Sequence, residues 1–389
     1  MKYKKILLFS LLIISLLQVN MILFIRGSVG TLEIASTTYT TNTIYIDNIN
    51  PSMDWNYTKH TYDWCSGSGT IVDPYIIEDV TVTSNLSGTP CLIIANSDVY
   101  FIIRNNIFTN STDGFGGSVY FDNVANGHFI ENQIVDNEAG MFLDDCFEVT
   151  ISDNLFNNNT AVGLVVAESE SITVRNNEIT KAQIGIAIGL SEYITISNNE
   201  IYECDGGLTY FIGFKYTAIG NNIHDNSLGG FAMMGSEFCE FSGNILDNNN
   251  MSIYLMTENY KNIFTENTIQ NSEEFGVFIE DSLNSDNLFY KNYFYLNNIS
   301  AFDNGTLNYW DNGEIGNFWD DYDGVDADRD GIGDTPYNIT GSANSVDNYP
   351  IVPLEEKAEA PPMLFYWIAL GFLAIIIIAV VVIAKSRSV

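Results

Sequence analysis

The chain has 389 residues, and its 49 Asp and Glu outnumber its 15 Lys and Arg, which gives a formal net charge of −34. Such a surface repels nucleic acid phosphates and attracts divalent cations, so binding to DNA or RNA is excluded as a main function. The chain has three His and five Cys and no Cys-x-x-Cys pair, so it contains few ligands for a histidine or thiolate metal centre. No organic cofactor is expected.

The N-terminal segment is predicted to direct the chain out of the cytoplasm. Three lysines within residues 1–5 precede an apolar run at residues 6–17, which is typical of a secretory signal. Residues 1–30 are therefore predicted to be a signal peptide, although the further apolar run 21–25 is long enough for an uncleaved N-terminal anchor. Residues 31–95 are predicted to form an N-terminal cap and the first strands, which a Cys65–Cys91 disulfide could pin.

An internal repeat of 22 to 27 residues runs through residues 96–300. It is marked by nine asparagines: Asn105, Asn132, Asn154, Asn177, Asn199, Asn221, Asn244, Asn267 and Asn292. The residues three places before and two places after each of them are all apolar, from Ile102 and Ile107 in the first unit onward. A unit of this length cannot bury its own apolar face, so the units must stack into a solenoid of about nine to eleven rungs. The fold class is therefore predicted to be all-β, a parallel β-helix with two or three short strands in each rung.

Asparagine suits the turn of such a rung for two reasons. It tolerates the left-handed backbone region, and its amide can bond to the asparagine one rung away. The nine asparagines are therefore interpreted as a structural ladder at the turns. A glycine often follows eight or nine residues later, at Gly140, Gly163, Gly185, Gly207, Gly229 and Gly276.

Three segments resemble the NosD-like proteins and the related carbohydrate-binding and sugar-hydrolase (CASH) domains. They are the core Ile196-x-x-Asn199-x-Ile201, residues 69–77 before the repeats, and residues 316–337 after them. The closing segment is similar to that of many archaeal surface proteins. Over roughly residues 65–350 the resemblance implies a right-handed β-helix. The functions of that family are diverse, so the resemblance implies an architecture rather than an activity.

Four carboxylates, Asp122, Asp144, Asp145 and Glu168, lie nine or ten residues before the ladder asparagine that follows each of them. This spacing places them on neighbouring rungs along one edge, where two carboxyls roughly 5 to 9.5 Å apart would suit glycoside hydrolysis. Asp144, Asp145 and Glu168 are the candidate catalytic residues. The same pattern also fits a sugar or cation contact, or a solvated acidic stripe, and no cluster of basic residues stands beside it.

Aromatic residues are abundant, with 24 Phe and 22 Tyr. Most are predicted to fill the core, but one local cluster could present a face on which a sugar stacks. Its members are Tyr210, Phe211, Phe214 and Tyr216. Met233 and Met234 have no neighbouring His or Cys, so they are predicted to fill the core rather than to bind copper.

Residues 301–352 are predicted to form a C-terminal cap with an aspartate-rich loop. Asp326, Asp328 and Asp330 alternate before a glycine and Asp334 follows, a spacing by which a tight loop presents several oxygens to one hard cation such as Ca²⁺. The alternative is a turn in which these side chains bond to their own backbone. Bound calcium would lock the loop over the last rung and hide an open strand edge.

The C-terminal end is predicted to anchor the protein in a membrane. Residues 353–362 form an acidic, proline-bearing linker, and residues 363–384 are uncharged and long enough to span a bilayer. Lys385 and Arg387 follow, which places the tail, residues 385–389, in the cytoplasm and the rest of the chain outside the cell.

Three function classes fit these features. The first is a cell-surface protein that binds glycans or forms part of the envelope, and the tether and acidic surface favour it. The second is a membrane-anchored, polysaccharide-active hydrolase or lyase that uses the stacked carboxylates. The third is an accessory protein for maturation of another secreted protein, which the resemblance to NosD-like proteins allows.

Overall fold

The computed structural model describes residues 39–84, 86–113 and 116–353. The predicted signal peptide, the predicted membrane-spanning helix 363–384, the tail predicted to be cytoplasmic and the linker beyond residue 353 lie outside these residues. Within the described part of the chain, no helix has the length and apolar character needed to cross a membrane.

The described chain winds into a right-handed parallel β-helix of about 11 turns, which confirms the predicted fold class. Each turn contains three strands, and strands of successive turns pair in parallel register. Many strands have only three residues, and in them the central side chain is the one buried, as in Thr195–Ser197. Alternating side chains thus place one apolar column inside each sheet and leave the flanking residues outside.

The first sheet has eleven strands. They are β3 (Cys65–Ser66), β4 (Tyr75–Glu78), β7 (Phe101–Arg104), β10 (Gly127–Ile130), β12 (Thr150–Ser152), β14 (Thr173–Arg175), β17 (Thr195–Ser197), β20 (Thr217–Ile219), β23 (Glu240–Ser242), β26 (Ile263–Thr265) and β29 (Leu288–Tyr290).

The second and third sheets are joined, because two long strands, β11 (Gln133–Asp144) and β13 (Leu155–Ala167), run through the bend between them. The second sheet contains their first halves together with β1 (Tyr39–Thr41), β5 (Val80–Thr83), β8 (Ile107–Thr109), β15 (Glu178–Thr180), β18 (Glu200–Tyr202), β21 (Asn222–His224), β24 (Ile245–Asp247), β27 (Thr268–Gln270), β30 (Tyr293–Tyr295) and β32 (Phe318–Trp319).

The third sheet contains the second halves of β11 and β13. Its other strands are β2 (Ile44–Asp47), β6 (Leu92–Ser97), β9 (Val119–Val124), β16 (Ile184–Gly189), β19 (Gly206–Phe211), β22 (Gly229–Met234), β25 (Met251–Leu255), β28 (Phe275–Ile279) and β31 (Ile299–Asp303). Outside the three sheets are the helix α1 (Trp55–Thr61), which Asp54 caps, and the antiparallel pair β33 (Tyr337–Asn338) and β34 (Val346–Asp347).

The core is a set of columns that run along the helix axis. In one column Phe241, Phe264, Phe289 and Trp310 stack face to face, with successive ring centroids 4.7, 4.5 and 4.5 Å apart. Stacked aromatic pairs contribute about 0.5 to 1.5 kcal/mol beyond the area that they bury. Each rung is thereby held in register with the next.

A buried asparagine ladder runs along the turn between the first and second sheets. From Asn132 to Asn292, the backbone N–H and the Nδ2 of each asparagine donate to the Oδ1 of the next, at 2.9 to 3.2 Å. Asn292 donates to Asn317 in the same way. Asn317 then donates to the carboxylate of Asp347, which is fully buried, and burial raises the pKa of that carboxyl to about 6.

The prediction was wrong for the first member of this ladder. Asn106 occupies the position, donating to Asn132 at 3.0 Å, whereas Asn105 is exposed at φ 54°. The reason is that the left-handed residue of the turn is the one that precedes the ladder asparagine. The inward neighbours shift with it, so Ile103 and Phe108, both fully buried, replace Ile102 and Ile107 as the core residues of that rung.

The glycine column and the cysteines also differ from expectation. In β22 the glycine packed more tightly against the next rung is Gly230, where an added Cβ would lie 2.8 Å from Nδ2 of Asn249, rather than Gly229, where the nearest atom is 3.3 Å away. Cys65 and Cys91 are both free thiols, so no disulfide pins the N-terminal cap. Burial raises the pKa of the Cys65 thiol to about 12, which keeps it protonated and unreactive.

Candidate functional site

The four carboxylates singled out in the sequence lie at one end of the third sheet. Asp122 and Asp144 are register partners on adjacent strands and point outward, with Asp144 only 9% exposed. Asp145 and Glu168 follow at the next corner in the left-handed conformation, and their backbone N–H groups donate to the neighbouring rung. The structure therefore arranges the acids in two short columns on consecutive rungs. The corner column ends at Leu190, which occupies the position of Glu168 in the following rung.

Tyr120 belongs to this acidic end. Burial, then the charges of Asp122 and Asp144, and a hydrogen bond to Asp144 raise the pKa of its phenol above the ordinary value. Its ring also contacts Phe142 edge to face, with the centroids 5.8 Å apart. A protonated phenol beside carboxylates can donate a proton or hold a hydroxyl, which is chemistry that a sugar site needs.

Beyond the acids, the outer surface of the third sheet is apolar. Val165, Ala187 and Phe211 alternate with core residues and so point outward, yet they are 2%, 0% and 0% exposed. Together with Ala139, Val162, Ala167 and Ile184 they form a second buried cluster, separate from the core. The outer face of this part of the sheet is therefore shielded from solvent, unlike the exposed Asp145 at the corner.

The predicted sugar-stacking cluster is wrong in three of its four members. Tyr210 and Tyr216 lie inside the helix with ring centroids 4.7 Å apart, and burial raises the pKa of both phenols. Phe211 belongs to the buried outer cluster. Phe214 alone remains partly exposed, at the corner between the third and first sheets.

Phe214 is part of a longer row of surface residues, here called the corner ladder. Four successive rungs each contribute two neighbouring residues: Glu192 and Tyr193, Phe214 and Lys215, Glu237 and Phe238, Tyr260 and Lys261. The first residue of each pair bridges to the first residue of the next rung in parallel, and the second is in the left-handed conformation. Because the backbone is fixed in this way, the side chains of one column lie directly above one another.

The rings of the corner ladder are in contact along its whole length. Successive centroids, from Tyr193 through Phe214 and Phe238 to Tyr260, are 6.4, 5.6 and 6.1 Å apart, each pair edge to face. Lys215 Nζ lies 5.2 and 5.0 Å from the rings of Tyr193 and Phe214. Lys261 Nζ lies 5.9 and 4.7 Å from the rings of Phe238 and Tyr260. Despite these contacts, Tyr193 is 45% and Phe238 44% exposed.

Two open clefts adjoin the corner ladder. One, of about 320 Å³, is lined by Leu190, Ile212, Phe214 and the two glutamates of the ladder. The other, of about 700 Å³, is lined by Phe238, Lys261, Tyr309 and Asp311 among others. The corner ladder is therefore bordered by concave surface in which a ligand could bind.

Two family profiles match the chain. The profile of the periplasmic copper-binding protein NosD matches residues 36–229, and that of the right-handed β-helix region matches residues 184–318. The chain is a NosD-like right-handed β-helix repeat protein. No curated protein matches the sequence.

Solved structures similar to this NosD-like protein include two epimerase modules. The A-module of mannuronan C-5 epimerase AlgE6 of Azotobacter vinelandii is 15% identical, with 61% of this chain and 72% of that chain covered and a TM-score of 0.56. The A-module of epimerase AlgE4 of the same organism is 14% identical, with 60% and 84% covered and a TM-score of 0.43. At 15% identity the likeness to the AlgE6 module shows the β-helix fold and nothing about activity.

The described residues of this NosD-like protein do not form a set of ligands that fits copper. Copper sites use soft ligands such as His, Cys and Met. Within the described ranges, the single group of three or more His, Cys, Asp or Glu whose ligand atoms converge is Asp326, Asp328 and Asp330, within 4.8 Å of one another. Met233 is fully buried in the core, and burial raises the pKa of the nearby Cys239 thiol to about 12.

The aspartate-rich loop offers hard oxygen ligands. Asp326 accepts backbone N–H groups from Arg329 and Gly331 at 2.7 and 2.9 Å. Asp334 accepts the N–H of Ala327 at 2.9 Å and is not part of the converging group. The loop thus holds three exposed or half-exposed carboxylates together with its own backbone donors, and its oxygen-only donor set suits Ca²⁺ rather than a soft metal.

Proposed function

We propose that this NosD-like protein is an extracellular β-helix that binds polysaccharide through the corner ladder. The observation that carries the proposal is the line of four partly exposed aromatic rings, one per rung, bordered by two clefts. Single exposed aromatic residues are ordinary on protein surfaces, but a contiguous row of them marks an interaction site.

The chemistry of the corner ladder suits sugars. The rings stand edge to face, so each rung offers an apolar ring edge or face against which the C–H groups of a pyranose can pack. Glu192 and Glu237 can accept hydrogen bonds from hydroxyl groups, while Lys215 and Lys261 can donate them. A site with an apolar platform and a few well-placed polar groups is the usual form of a small-molecule or cofactor site.

We also propose that the β-helix is held outside the cell on a single membrane-spanning segment, residues 363–384, with the C-terminus in the cytoplasm. The uncharged length of that segment and the basic residues after it support this placement. The match to a family described as periplasmic supports an address outside the cytoplasm.

The proposal is tested by retention of the purified full-length chain on a panel of immobilised neutral and acidic polysaccharides. We expect selective retention on a neutral glycan, and Phe238→Ala should weaken it about tenfold or more through loss of ring contact. Phe147→Ala is the matched control. Phe147 is 42% exposed at the same corner, in the bridged column that also contains Phe214, but it lies outside the four aromatic rungs, so its loss should change nothing. No retention on any glycan would overturn the proposal.

A second candidate is a polysaccharide-active enzyme at the acidic end of the third sheet. The register of Asp122 with Asp144 and the hydrogen bond between Tyr120 and Asp144 favour it, and Asp145 and Glu168 stand beside them. The same glycan panel separates the two candidates. New reducing ends or unsaturated products that disappear in Asp144→Asn would indicate catalysis, whereas unchanged, retained glycans indicate binding.

We further propose that Asp326, Asp328 and Asp330 bind Ca²⁺, with Asp334 close by. Because a cation that binds the folded state stabilises it, a chelator should lower the thermal midpoint of the full-length chain. Asp328→Ala should remove that sensitivity, while Asp98→Ala, at an exposed site elsewhere, should keep it. An unchanged midpoint after chelation would show that the loop is held by its backbone hydrogen bonds alone.

A further inference from the structure

The corner ladder repeats with a period of two rungs. An acidic residue followed by an aromatic residue occurs at Glu192 and Tyr193, and again at Glu237 and Phe238. The intervening rungs reverse the order, with an aromatic residue followed by a lysine, at residues 214–215 and 260–261. The alternation is confined to these four rungs, since the rungs before and after carry Glu170 and Ser171, and Ser285 and Asp286.

This alternation doubles the repeat length of the surface. One rung advances about 4.8 Å along the helix axis, so equivalent groups such as Tyr193 and Phe238 recur about every 9.6 Å. That distance is close to the length of one disaccharide in an extended polysaccharide in which alternate sugars face opposite ways. Four rungs would accommodate two such disaccharides.

We infer that the corner ladder binds one extended, neutral polysaccharide chain parallel to the helix axis, with the disaccharide as the repeating unit of recognition. This inference rests on the proposed glycan-binding function. Alternate sugars would then meet an acid with a ring, and a ring with a lysine. Successive sugars, which face opposite ways, would then each contact a ring together with either a carboxylate or an ammonium group.

The direction of the chain follows from the placement of the rings. The four rings follow the axis as a zigzag, with Tyr193 and Phe238 in one column and Phe214 and Tyr260 in the neighbouring one, at centroid separations of 5.6 to 6.4 Å. A glycan that crossed the corner at right angles would contact one rung and then leave the aromatic row. Only a chain along the axis contacts all four rings.

The charge of the site favours a neutral glycan. Both lysines of the ladder already lie over aromatic rings, and Glu192, Glu237 and Asp286 stand in or beside the row. The whole chain carries a formal charge of −34. A polyanion would therefore be repelled by the field of the protein, whereas hydroxyl groups can bond to the same carboxylates.

The test is calorimetric titration of the full-length chain with cello-, manno- and chito-oligosaccharides of two, four and six sugars, and with polygalacturonate. For the series that binds, we expect the tetrasaccharide to bind about tenfold tighter than the disaccharide, because it engages the second pair of rings. The hexasaccharide should gain about threefold or less, since it extends past the aromatic rungs. Phe238→Ala should reduce the tetrasaccharide to the affinity of the disaccharide, and Phe147→Ala should leave the series unchanged.

Four results would overturn the inference. They are equal affinity for the disaccharide and the tetrasaccharide, a steady gain beyond four sugars, tighter binding of polygalacturonate, and an unaltered tetrasaccharide affinity in Phe238→Ala. If a polysaccharide is retained in the panel but none of the three extended series binds, the two-rung recognition is wrong while glycan binding stands. If nothing is retained at all, both fail together.

Discussion

Gly185→Ala is expected to destabilise the β-helix by about 3 kcal/mol, because a new Cβ has no room between two rungs. A Cβ at Gly185 would lie 2.7 Å from the carbonyl oxygen of Gly207 in the next rung and 2.6 Å from Cγ2 of Ile201. The carbonyl belongs to the backbone of a hydrogen-bonded sheet, so it cannot move without breaking the register of β16 with β19. The cost is therefore steric overlap rather than loss of backbone freedom.

Gly206→Ala is the matched control. Gly206 begins β19 in the same sheet, but the nearest atoms to its added Cβ, the oxygens of Gln183 and Thr209, are 3.9 Å away. We expect little change there. Thermal and urea unfolding of both variants measure the difference, and hydrogen exchange of the amides around β16 shows whether the damage is local, as expected for a stack in which each rung contacts only its neighbours. Equal stability of the two variants would show that the rungs can separate to admit a methyl group.

The rung length and the stacking could be predicted because they depend on a pattern repeated many times. Every rung needs an apolar residue three places before its ladder asparagine to fill the core. The pattern therefore remains visible even when one unit is assigned wrongly. The first unit shows the limit of this reasoning. The doublet of Asn105 and Asn106 offers two candidates, and the choice depends on which residue has a positive φ, a property that the sequence pattern does not reveal.

Shorter hydrogen-bonded ladders cannot be recognised from the sequence, because the residue type at the stacked position varies from rung to rung. At the corner between the second and third sheets, Asn226 donates to Asn249 through both its backbone N–H and its Nδ2, but the same column contains Ser111 and Cys204 in other rungs. A position that is occupied by asparagine, serine or cysteine in different rungs has no constant residue type that would mark it in the sequence. It is recognised only when the backbone shows that these residues are stacked.

The acidic end of the third sheet could be predicted from the sequence. The sequence also contains a signal from which the corner ladder could be found. Counting back from each ladder asparagine places Asp144 next to Asp122, which the register of the strands shows. The same count places Tyr193, Lys215, Phe238 and Lys261 each six residues before its asparagine. Local clustering in the sequence drew attention to Tyr210 and Tyr216 instead. Alternation along β19 directs Tyr210 inward, and Tyr216, which precedes β20, also lies inside the helix. Position within the rung, not proximity in the sequence, therefore decides which rings are exposed.

Asn199→Ala is expected to destabilise the chain by about 3 kcal/mol, because it removes a link from the middle of a buried polar column. The Oδ1 of Asn199 accepts the N–H and the Nδ2 of Asn177 at 2.9 and 3.0 Å. Its Nδ2 donates to the carbonyl of Val174 and to Oδ1 of Asn221, both at 3.0 Å. Asn199 is 1% exposed, so water cannot readily replace these partners, and alanine would leave several groups unsatisfied.

The adjacent residue provides the control that distinguishes this account from a general intolerance of the turn. Asn198 has φ 52° and is exposed, so Asn198→Gly keeps the left-handed conformation at little cost. Urea unfolding should therefore separate the two variants by about 2 kcal/mol or more, since only one of them breaks buried hydrogen bonds. If both variants were equally stable, the amide column would be incidental, and the rungs would have to be held in register by the stacked apolar side chains alone.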